Sequence, residues 1–265
     1  KSELVARHSA LECAIARGAR VTFARDAATA AALQRASVNA VYAGNAMMDQ
    51  VAAPEFPLEV ERDAIHVALL PGSRADAPAN ARAGARRLVR IAALSSKRVQ
   101  AFLPLAPAVD AKAIVAALAA EGFTVDVYRH VRGVVARANS GGVEIALVRD
   151  GLAASLAAAD VVLGQAGTGN EQAAGLGKPV IAAAAPGESP KAVGWYRMRQ
   201  QKLLGDALVV LDEDDDSFAR DVLALIADPA RMAAMGAAGR ERMGAPGASA
   251  TIAQAVLDAA ADSVA

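Results

Sequence analysis

A short turn with several ligand-binding groups, Pro71-Gly72-Ser73-Arg74, directly follows an apolar run that is typical of a β-strand. Gly72 would let a backbone N–H approach a ligand closely, because it carries no side chain. Ser73 offers a hydroxyl, and the guanidinium of Arg74 matches the geometry of phosphate oxygens. Open parallel sheets bind ligands at the carboxyl ends of their strands, so the turn is predicted to bind an anion. An ordinary Gly-Ser turn without a ligand is the alternative.

A second turn, Gly167-Thr168-Gly169-Asn170-Glu171-Gln172, lies between another strand-like run and a short helix. Its glycines indicate a tight bend or close contact with a ligand, and the start of the helix favours an anion. The carboxylate of Glu171 could accept hydrogen bonds from a ribose diol; a carboxylate that only stabilises the helix dipole is the alternative. The turn comes late in the sheet instead of after its first strand, which disfavours a dehydrogenase.

A third loop, Pro186-Gly187-Glu188-Ser189-Pro190-Lys191, follows the strand-like run 180–184. It precedes a helix predicted over 192–204, which carries Gln200 and Gln201. We expect this loop at the same sheet edge as the other two. Three loops at one edge favour a binding site more strongly than one loop does, although an ordinary Pro/Gly connection is the alternative.

The isolated histidines and the single cysteine show no spacing typical of a metal or nucleophile site. His8, His66 and His130 are scattered along the chain, and Cys13 has no histidine at helical spacing. We therefore predict neither a metal ion nor a cofactor, and Cys13 is expected to be a small buried apolar residue. The sequence contains neither a P-loop nor a G-x-S-x-G motif.

Two charged runs are expected at the surface. Arg82, Arg86, Arg87 and Arg90 share one face of a predicted helix, for which a solvated surface is the first interpretation and contact with anionic lipid the alternative. The acidic run 212–216 is expected to begin a helix, because consecutive carboxylates cannot all converge on one ion.

Composition limits the class of protein. The 265 residues are 54% hydrophobic, enough to bury a sizeable core. Lys and Arg total 28, as do Asp and Glu, and this zero net charge argues against a nucleic-acid partner. One cysteine is consistent with a reducing, cytoplasmic location. The apolar stretches are too short to cross a bilayer, and no signal peptide is recognised.

Strand-like and helical segments alternate after residue 60, which predicts an α/β fold with a parallel sheet covered by helices on both faces. Seven strand-like runs are recognised: 65–70, 99–105, 123–128, 143–148, 161–163, 180–184 and 207–211. Residues 50–62 contain two prolines and few periodic apolar positions, and are expected to be a linker.

The predicted domains are 1–49, the linker 50–62, a Rossmann-like domain over 63–247 and a final helix within 248–265. The leading segment has too few strands for a complete α/β domain. We therefore expect it to be the C-terminal part of an incomplete N-terminal domain; an appendage to a single domain is the alternative.

Four segments together resemble the lipid-A-disaccharide synthases and the proteins related to them. They are Val41-Tyr42-Ala43-Gly44-Asn45-Ala46-Met47-Met48-Asp49, the turn Leu70-Pro71-Gly72-Ser73-Arg74, the turn that begins at Gly167, and Gly177-Lys178-Pro179-Val180. Asn45 departs from the family, which tends to have histidine there. The resemblance implies a GT-B-like fold with two Rossmann-like domains, and a last helix (248–261) that crosses back to the N-terminal domain.

The resemblance also implies a function: inverting, metal-independent transfer of a sugar from a UDP-sugar, of the UDP-N-acetylglucosamine type, to a lipid or glycan acceptor. Arg74 would be catalytic by stabilising the leaving diphosphate. Val148 and its strand would hold the base, and the general base would come from the incomplete domain. A lipid acceptor would imply peripheral contact with the inner face of a membrane. The substrate-binding residues would be Gly72, Ser73, Arg74, Val148, Gly167, Thr168, Gly169, Asn170, Glu171 and Gln172.

Two alternatives remain open on the same fold. One is a UDP-N-acetylglucosamine 2-epimerase, for which only Glu171 and Glu188 are recognised as acids near the sugar. The other is a non-catalytic protein that binds nucleotide sugars.

Overall fold

The computed structural model describes residues 8–129, 132–184, 191, 193–212 and 214–262. The chain forms two compact units. One combines Lys1–Ala52 with Met243–Ala265, and the larger one is Ala53–Arg242. Each unit has its own apolar core.

In its described residues, the smaller unit contains a pair of short parallel strands and four helices. The strands are β1 (Thr22–Phe23) and β2 (Ala40–Val41). Asp26 is the N-cap of the second helix, where its carboxylate accepts the N–H of Thr29 at 2.7 Å. The helices are α1 (Ala10–Arg17), α2 (Ala27–Arg35), α3 (Ala46–Asp49) and, at the end of the chain, α11 (Ala248–Asp262).

Asp49, the last residue of α3, caps the start of α11. Its carboxylate accepts hydrogen bonds from the N–H groups of Gly247 and Ser249. Hydrogen bonds from Ser249 and from the Gly247 N–H hold the pKa of Asp49 below its usual range. These bonds fix the position of α11 within the smaller unit.

A central eight-stranded sheet organises the larger unit. The strand order is β10-β9-β8-β3-β4-β7-β6-β5. The strands from β10 to β7 run parallel, and β6 is antiparallel to both of its neighbours. The strands are β3 (Ile65–Leu70), β4 (Val99–Leu105), β5 (Thr124–Val127), β6 (Gly133–Ser140), β7 (Val143–Arg149), β8 (Val161–Gly164), β9 (Val180–Ala183) and β10 (Leu208–Leu211).

Helices cover both faces of this sheet. The apolar core on one face joins the strands to α4, α5 and α9, and includes Leu88, Ile114 and Phe218. A smaller cluster on the sheet brings Phe56 and Leu58, from the predicted linker, onto Phe102. The helices are α4 (Ala77–Leu94), α5 (Ala111–Ala120), α6 (Leu152–Ala158), α7 (Thr168–Gly175), α8 (Trp195–Leu204), α9 (Asp215–Ile226) and α10 (Pro229–Met243).

The Rossmann-like α/β fold predicted from the sequence is confirmed by this sheet and its helical layers. Each of the seven predicted strands is present, and β6 is a strand that the sequence analysis missed. Within the described residues, no single helix is long and apolar enough to cross a membrane; the helical pair Asp215–Ile226 and Pro229–Asp262 meets those criteria only together and is bent by 90°.

Candidate functional site

The first two predicted turns leave the sheet side by side. Strands β3 and β8 are parallel neighbours, with Leu70 paired to Gly164, and the N–H of Gln165 donates to the Leu70 carbonyl at 2.9 Å. The chain proceeds from β3 to β4 on one side and later returns to β8 on the other. Such a reversal of strand order opens a crevice at the carboxyl ends of the strands, which is where ligands bind in open α/β sheets.

The turn after β3 has a conformation that suits glycine. Gly72 has φ +100°, in the region that residues with a Cβ seldom adopt. The side chain of Asn80 donates to the Pro71 carbonyl at 2.9 Å and ties the turn to α4. The N–H of Ala77 donates to the Arg74 carbonyl, so the turn passes directly into this helix. Ser73 and Arg74 remain exposed at its surface.

The turn after β8 leads into α7 without a side-chain cap. The N–H groups of Asn170 and Glu171 donate to the Gly167 carbonyl at 3.1 and 3.3 Å. The N–H groups of the preceding Thr168 and Gly169 belong to the first helical turn, which has no intrahelical acceptors for them. These groups and the helix dipole make the turn suitable for an anion.

A cavity of about 1050 Å³ opens over both turns. Its wall includes Gly72, Ser73, Arg74, Gly167, Thr168, Gly169 and Gln172. It extends past the ends of β4 and β7, where residues 104–107 and 150–152 line it. This volume lies at the upper end of the range for small-molecule sites.

Arginines outnumber acids in the cavity wall. The described lining residues include five arginines (Arg74, Arg86, Arg87, Arg132 and Arg197) and three acids (Glu55, Asp76 and Asp150). Two of these arginines, Arg86 and Arg87, also pair with Asp215 outside the wall. An excess of positive charge in a cleft raises the local concentration of anionic ligands. Among the described residues, no group of three or more His, Cys, Asp or Glu side chains is arranged to hold a metal ion.

Tyr196 connects the two turns. Its ring centroid lies 5.5 Å from the Arg74 guanidinium carbon, a cation–π distance. Its hydroxyl lies against Gly167, where a Cβ would fall on it. Tyr196 was not predicted from the sequence, because only tertiary packing brings α8 over these turns.

Three of the predicted site residues lie outside the cavity wall. Val148 is buried in the cluster with Phe102 and Ala146. Asn170 is fully buried and donates to the Gly164 carbonyl. Glu171 is half-buried at the start of α7, and among the described residues neither it nor Val148 nor Asn170 lines the cavity.

The start of α6, the helix that follows Val148 and its strand, is capped by Glu55. Its carboxylate accepts the N–H groups of Ala153 and Ala154 at 3.2 and 2.8 Å. Glu55 lies within the predicted linker, where no sequence signal indicated this role. Residues 185–190, with Glu188, lie outside the described residues.

Asp150 and Arg132 also line this end of the cavity. Asp150 directly follows β7 and has φ +52°, a conformation that aspartate tolerates better than most residues. The guanidinium of Arg132 lies 5.2 Å from the Phe56 ring centroid. The position of Asp150 at a strand's carboxyl end was a signal that could have identified it.

No protein-family model and no curated protein match the sequence. Similar solved structures do exist. A Listeria monocytogenes structure described as a UDP-N-acetylglucosamine 2-epimerase has 14% identity and a TM-score of 0.56, and covers 84% of this chain and 55% of its own. The Staphylococcus aureus MnaA–UDP co-structure has 15% identity and a TM-score of 0.56. The match covers 89% of this chain and 59% of the Staphylococcus aureus chain.

A third structure is the Neisseria meningitidis UDP-GlcNAc 2-epimerase bound to UDP-GlcNAc. It has 12% identity and a TM-score of 0.54, and covers 94% of this chain and 62% of its own. This chain therefore spans between about half and three fifths of the length of the structures it matches. At these identities the likeness establishes the fold.

These comparisons correct the family prediction. The structural neighbours are described as UDP-N-acetylglucosamine 2-epimerases, not as lipid-A-disaccharide synthases. The resemblance to the synthases is therefore wrong, and so is the glycosyltransferase activity inferred from it. The epimerase alternative accounts better for the comparisons.

Proposed function

We propose that the larger unit binds a UDP-sugar, with UDP-N-acetylglucosamine as the first candidate, and that the protein is a 2-epimerase. The observation that carries the proposal is the pair of glycine turns at the ends of β3 and β8, which adjoin where the strand order reverses. Both turns line one cavity. A diphosphate between them would meet backbone N–H groups from both sides.

The charge and size of the cavity support the same ligand. Arg74 lies on the first turn and is held by Tyr196, so its guanidinium can contact diphosphate oxygens without a large loss of side-chain freedom. The cavity extends from the turns to Asp150 and Arg132, which leaves room for a nucleoside and a sugar on either side of the diphosphate. UDP and UDP-GlcNAc are bound in two of the similar structures.

Inversion at C2 removes a proton from one face of the sugar and returns one to the other, so it requires acid–base groups beside the sugar. The described carboxylates at the cavity wall are those of Glu55, Asp76 and Asp150. Two backbone N–H groups already hold Glu55. Asp76 and Asp150 are therefore the first acid–base candidates within the described residues.

Binding is tested by isothermal titration calorimetry with UDP, UDP-N-acetylglucosamine and, for comparison, ADP. We expect the two uridine ligands to bind and ADP to bind more weakly. No heat of binding with UDP or UDP-N-acetylglucosamine in large excess would contradict the proposed function.

Activity is tested by incubating the protein with UDP-N-acetylglucosamine and following the anomeric proton region by NMR. The 2-epimerase proposal predicts the manno epimer with its UDP linkage intact. Asp76→Asn and Asp150→Asn should retain UDP affinity, and loss of turnover in one of them would identify an acid–base residue. Tight binding without any epimer would instead favour the non-catalytic alternative.

A further inference from the structure

A buried polar network connects α8 to the turn after β8. Arg197 and Gln200 lie one helical turn apart, with only 9% and 4% of each residue exposed. Both side chains point at the segment from Gln165 to Asn170. Polar groups at such depth are costly unless they are hydrogen-bonded, so their partners show what the network does.

Both the nitrogen and the oxygen of the Gln200 carboxamide form hydrogen bonds. Its Nε2 donates to the carbonyls of Ala166 and Gly167, at 3.1 and 3.2 Å. Its Oε1 accepts hydrogen bonds from Arg197 Nη1 at 2.5 Å and from Asn170 Nδ2 at 3.3 Å. One side chain thus contacts two successive peptide groups of the turn.

Arg197 extends the network to the beginning of the turn. Its Nη2 donates to Gln165 Oε1 at 2.5 Å, and Gln165 Nε2 donates to the Ala183 carbonyl at the end of β9. The turn is therefore held from the side of α8 and β9 over its full length.

The planarity of the peptide bond gives these contacts a consequence for ligand binding. In a trans peptide the C=O of one residue and the N–H of the next point in opposite directions. Gln200 draws the carbonyls of Ala166 and Gly167 toward α8, which turns the N–H groups of Gly167 and Thr168 away from it. Both of these residues line the cavity.

We propose that Arg197 and Gln200 are positioning residues that orient the Gly167 and Thr168 N–H groups toward the diphosphate of the ligand. This inference rests on the proposed function, because it assumes that a diphosphate binds at this turn. Gln200 sets the peptide planes, and Arg197 holds Gln200 and Gln165 in place. Neither residue needs to contact the ligand for this role.

The test is Gln200→Glu, a change of nearly equal shape. The carboxylate still accepts hydrogen bonds from Arg197 and Asn170, but it has no N–H to donate and places negative charge beside two carbonyl oxygens. The matched control is Gln201→Glu, which makes the same change at the next position of α8.

Dissociation constants for UDP and uridine are measured for each variant, by calorimetry and by ligand-observed NMR. We expect Gln200→Glu to weaken UDP binding about tenfold, which is about 1.4 kcal/mol, while uridine binding and the Gln201→Glu control stay at the wild-type level. A purely structural role would weaken UDP and uridine alike. Unchanged UDP affinity, or equal losses for both ligands, would overturn the inference.

Arg197→Lys provides a second measurement if Gln200→Glu does not fold. It keeps the positive charge and loses the two-pronged contact with Gln165 and Gln200. A selective loss of UDP affinity supports the inference, and an unchanged ratio of the two affinities overturns it. A wild-type protein that binds no UDP overturns the proposed function and this inference with it, whereas wild-type binding with an unaltered ratio in the variants overturns this inference alone.

Discussion

The hydroxyl of Tyr196 lies against Gly167, in the place where any other residue would carry its Cβ. The same ring lies 5.5 Å from the guanidinium carbon of Arg74. One aromatic side chain therefore contacts both turns of the candidate site. This position depends on the absence of a side chain at residue 167.

The first prediction concerns Gly167→Ala. The backbone at this position has φ −90°, which alanine can adopt, and ψ −89°, which lies just outside the right-handed α region. The added methyl group would displace the Tyr196 ring and with it the contact to Arg74. We expect UDP affinity to fall about fivefold to tenfold, with little change in melting temperature, because an exposed ring can move.

Tyr196→Phe is the control for this prediction. It removes the hydroxyl, and the ring carbon that remains lies 3.6 Å from the position of the added Cβ, at ordinary contact distance. Gly167→Ala should therefore cost little when it is combined with Tyr196→Phe. Equal losses with and without the tyrosine hydroxyl would show that this hydroxyl is not the cause.

A second prediction concerns Arg74. Arg74→Ala removes a charged donor from the first turn, and losing a hydrogen bond to a charged group costs about 1.5–3 kcal/mol. We expect UDP to bind about tenfold to a hundredfold more weakly. Arg74→Lys should recover part of this affinity, because lysine keeps the charge without the guanidinium fork.

Arg199→Ala is a matched control for Arg74. Arg199 is exposed on α8 and lies over Trp195, with 4.8 Å between its guanidinium carbon and the ring centroid. The UDP affinity of both variants is measured by calorimetry at two salt concentrations, which separates a direct contact at the turn from an effect of overall charge. If both substitutions weakened UDP binding to the same degree, the effect would come from overall charge and not from the turn.

The two turns could be predicted because the chemistry of each is local. Gly72 and the Gly167 segment directly follow apolar runs that become β3 and β8, and the rule for parallel sheets places both at one edge. Tyr196, Arg197 and Glu55 reach the site from elsewhere in the chain. Only the tertiary packing of α8 and of the linker brings them there.

The mistaken family resemblance has a related cause. Glycine turns before helices with a nearby Ser or Arg bind diphosphates in many Rossmann-like folds. Such motifs describe how a phosphate is held and carry little information about which bond reacts. The overall arrangement of the chain, which the motifs do not encode, matched structures of 2-epimerases.

Strand β6 was missed because its sequence has weak strand propensity. Residues 133–140 include Gly, Arg, Asn and Ser, types that are depleted in strands or neutral. Gly141 and Gly142, with φ +53° and +82°, form the two-residue turn that joins β6 to β7. This Gly-Gly pair between two candidate strands was the available signal for a hairpin.

The two charged runs that the sequence analysis treated separately are partners in the structure. Arg86 and Arg87 of α4 pair with Asp215 at 3.2 and 3.1 Å, and Arg90 pairs with Asp216 through two hydrogen bonds. The basic face of α4 is therefore largely matched by the start of α9. This pairing leaves less positive charge for contact with anionic lipid.

A third prediction follows for pH dependence. The hydrogen bond from Arg90 is the main cause that holds the pKa of Asp216 below its ordinary value of 3.8. Between the folded pKa and the unfolded one, the unfolded state binds more protons, so stability rises with pH in that window. The contribution of Asp216 is present above about pH 4 and is lost as the pH falls through the folded pKa.

Asp216→Asn should therefore lower the free energy of unfolding at pH 7. At a pH below the folded pKa, where the wild-type carboxyl is protonated, the two proteins should have the same free energy of unfolding. Denaturant unfolding at a series of pH values measures this. Asp221→Asn, an exposed change on the same helix, is the matched control for removing one carboxylate from α9. A constant difference between wild type and Asp216→Asn at every pH would contradict the ion-pair explanation.

A fourth prediction concerns the contact between α10 and the end of α7. A Cβ at Gly239 would fall on the carbonyl of Ala174, and one at Gly236 would lie 2.5 Å from the carbonyl oxygen of Gly177. These neighbours are backbone atoms, which cannot rotate away as a side chain can. We expect Gly239→Ala to destabilise the protein by about 1–3 kcal/mol through overpacking, measured by denaturant unfolding.

The sign of this change distinguishes packing from helix propensity. Alanine is favoured over glycine inside a helix by about 1 kcal/mol, so propensity alone would make Gly239→Ala stabilising. Ala237→Gly, at an exposed position of α10, measures the propensity term on the same helix and should destabilise by about that amount. If Gly239→Ala stabilises the protein by a comparable amount, α10 does not pack on the α7 backbone as closely as the structure shows.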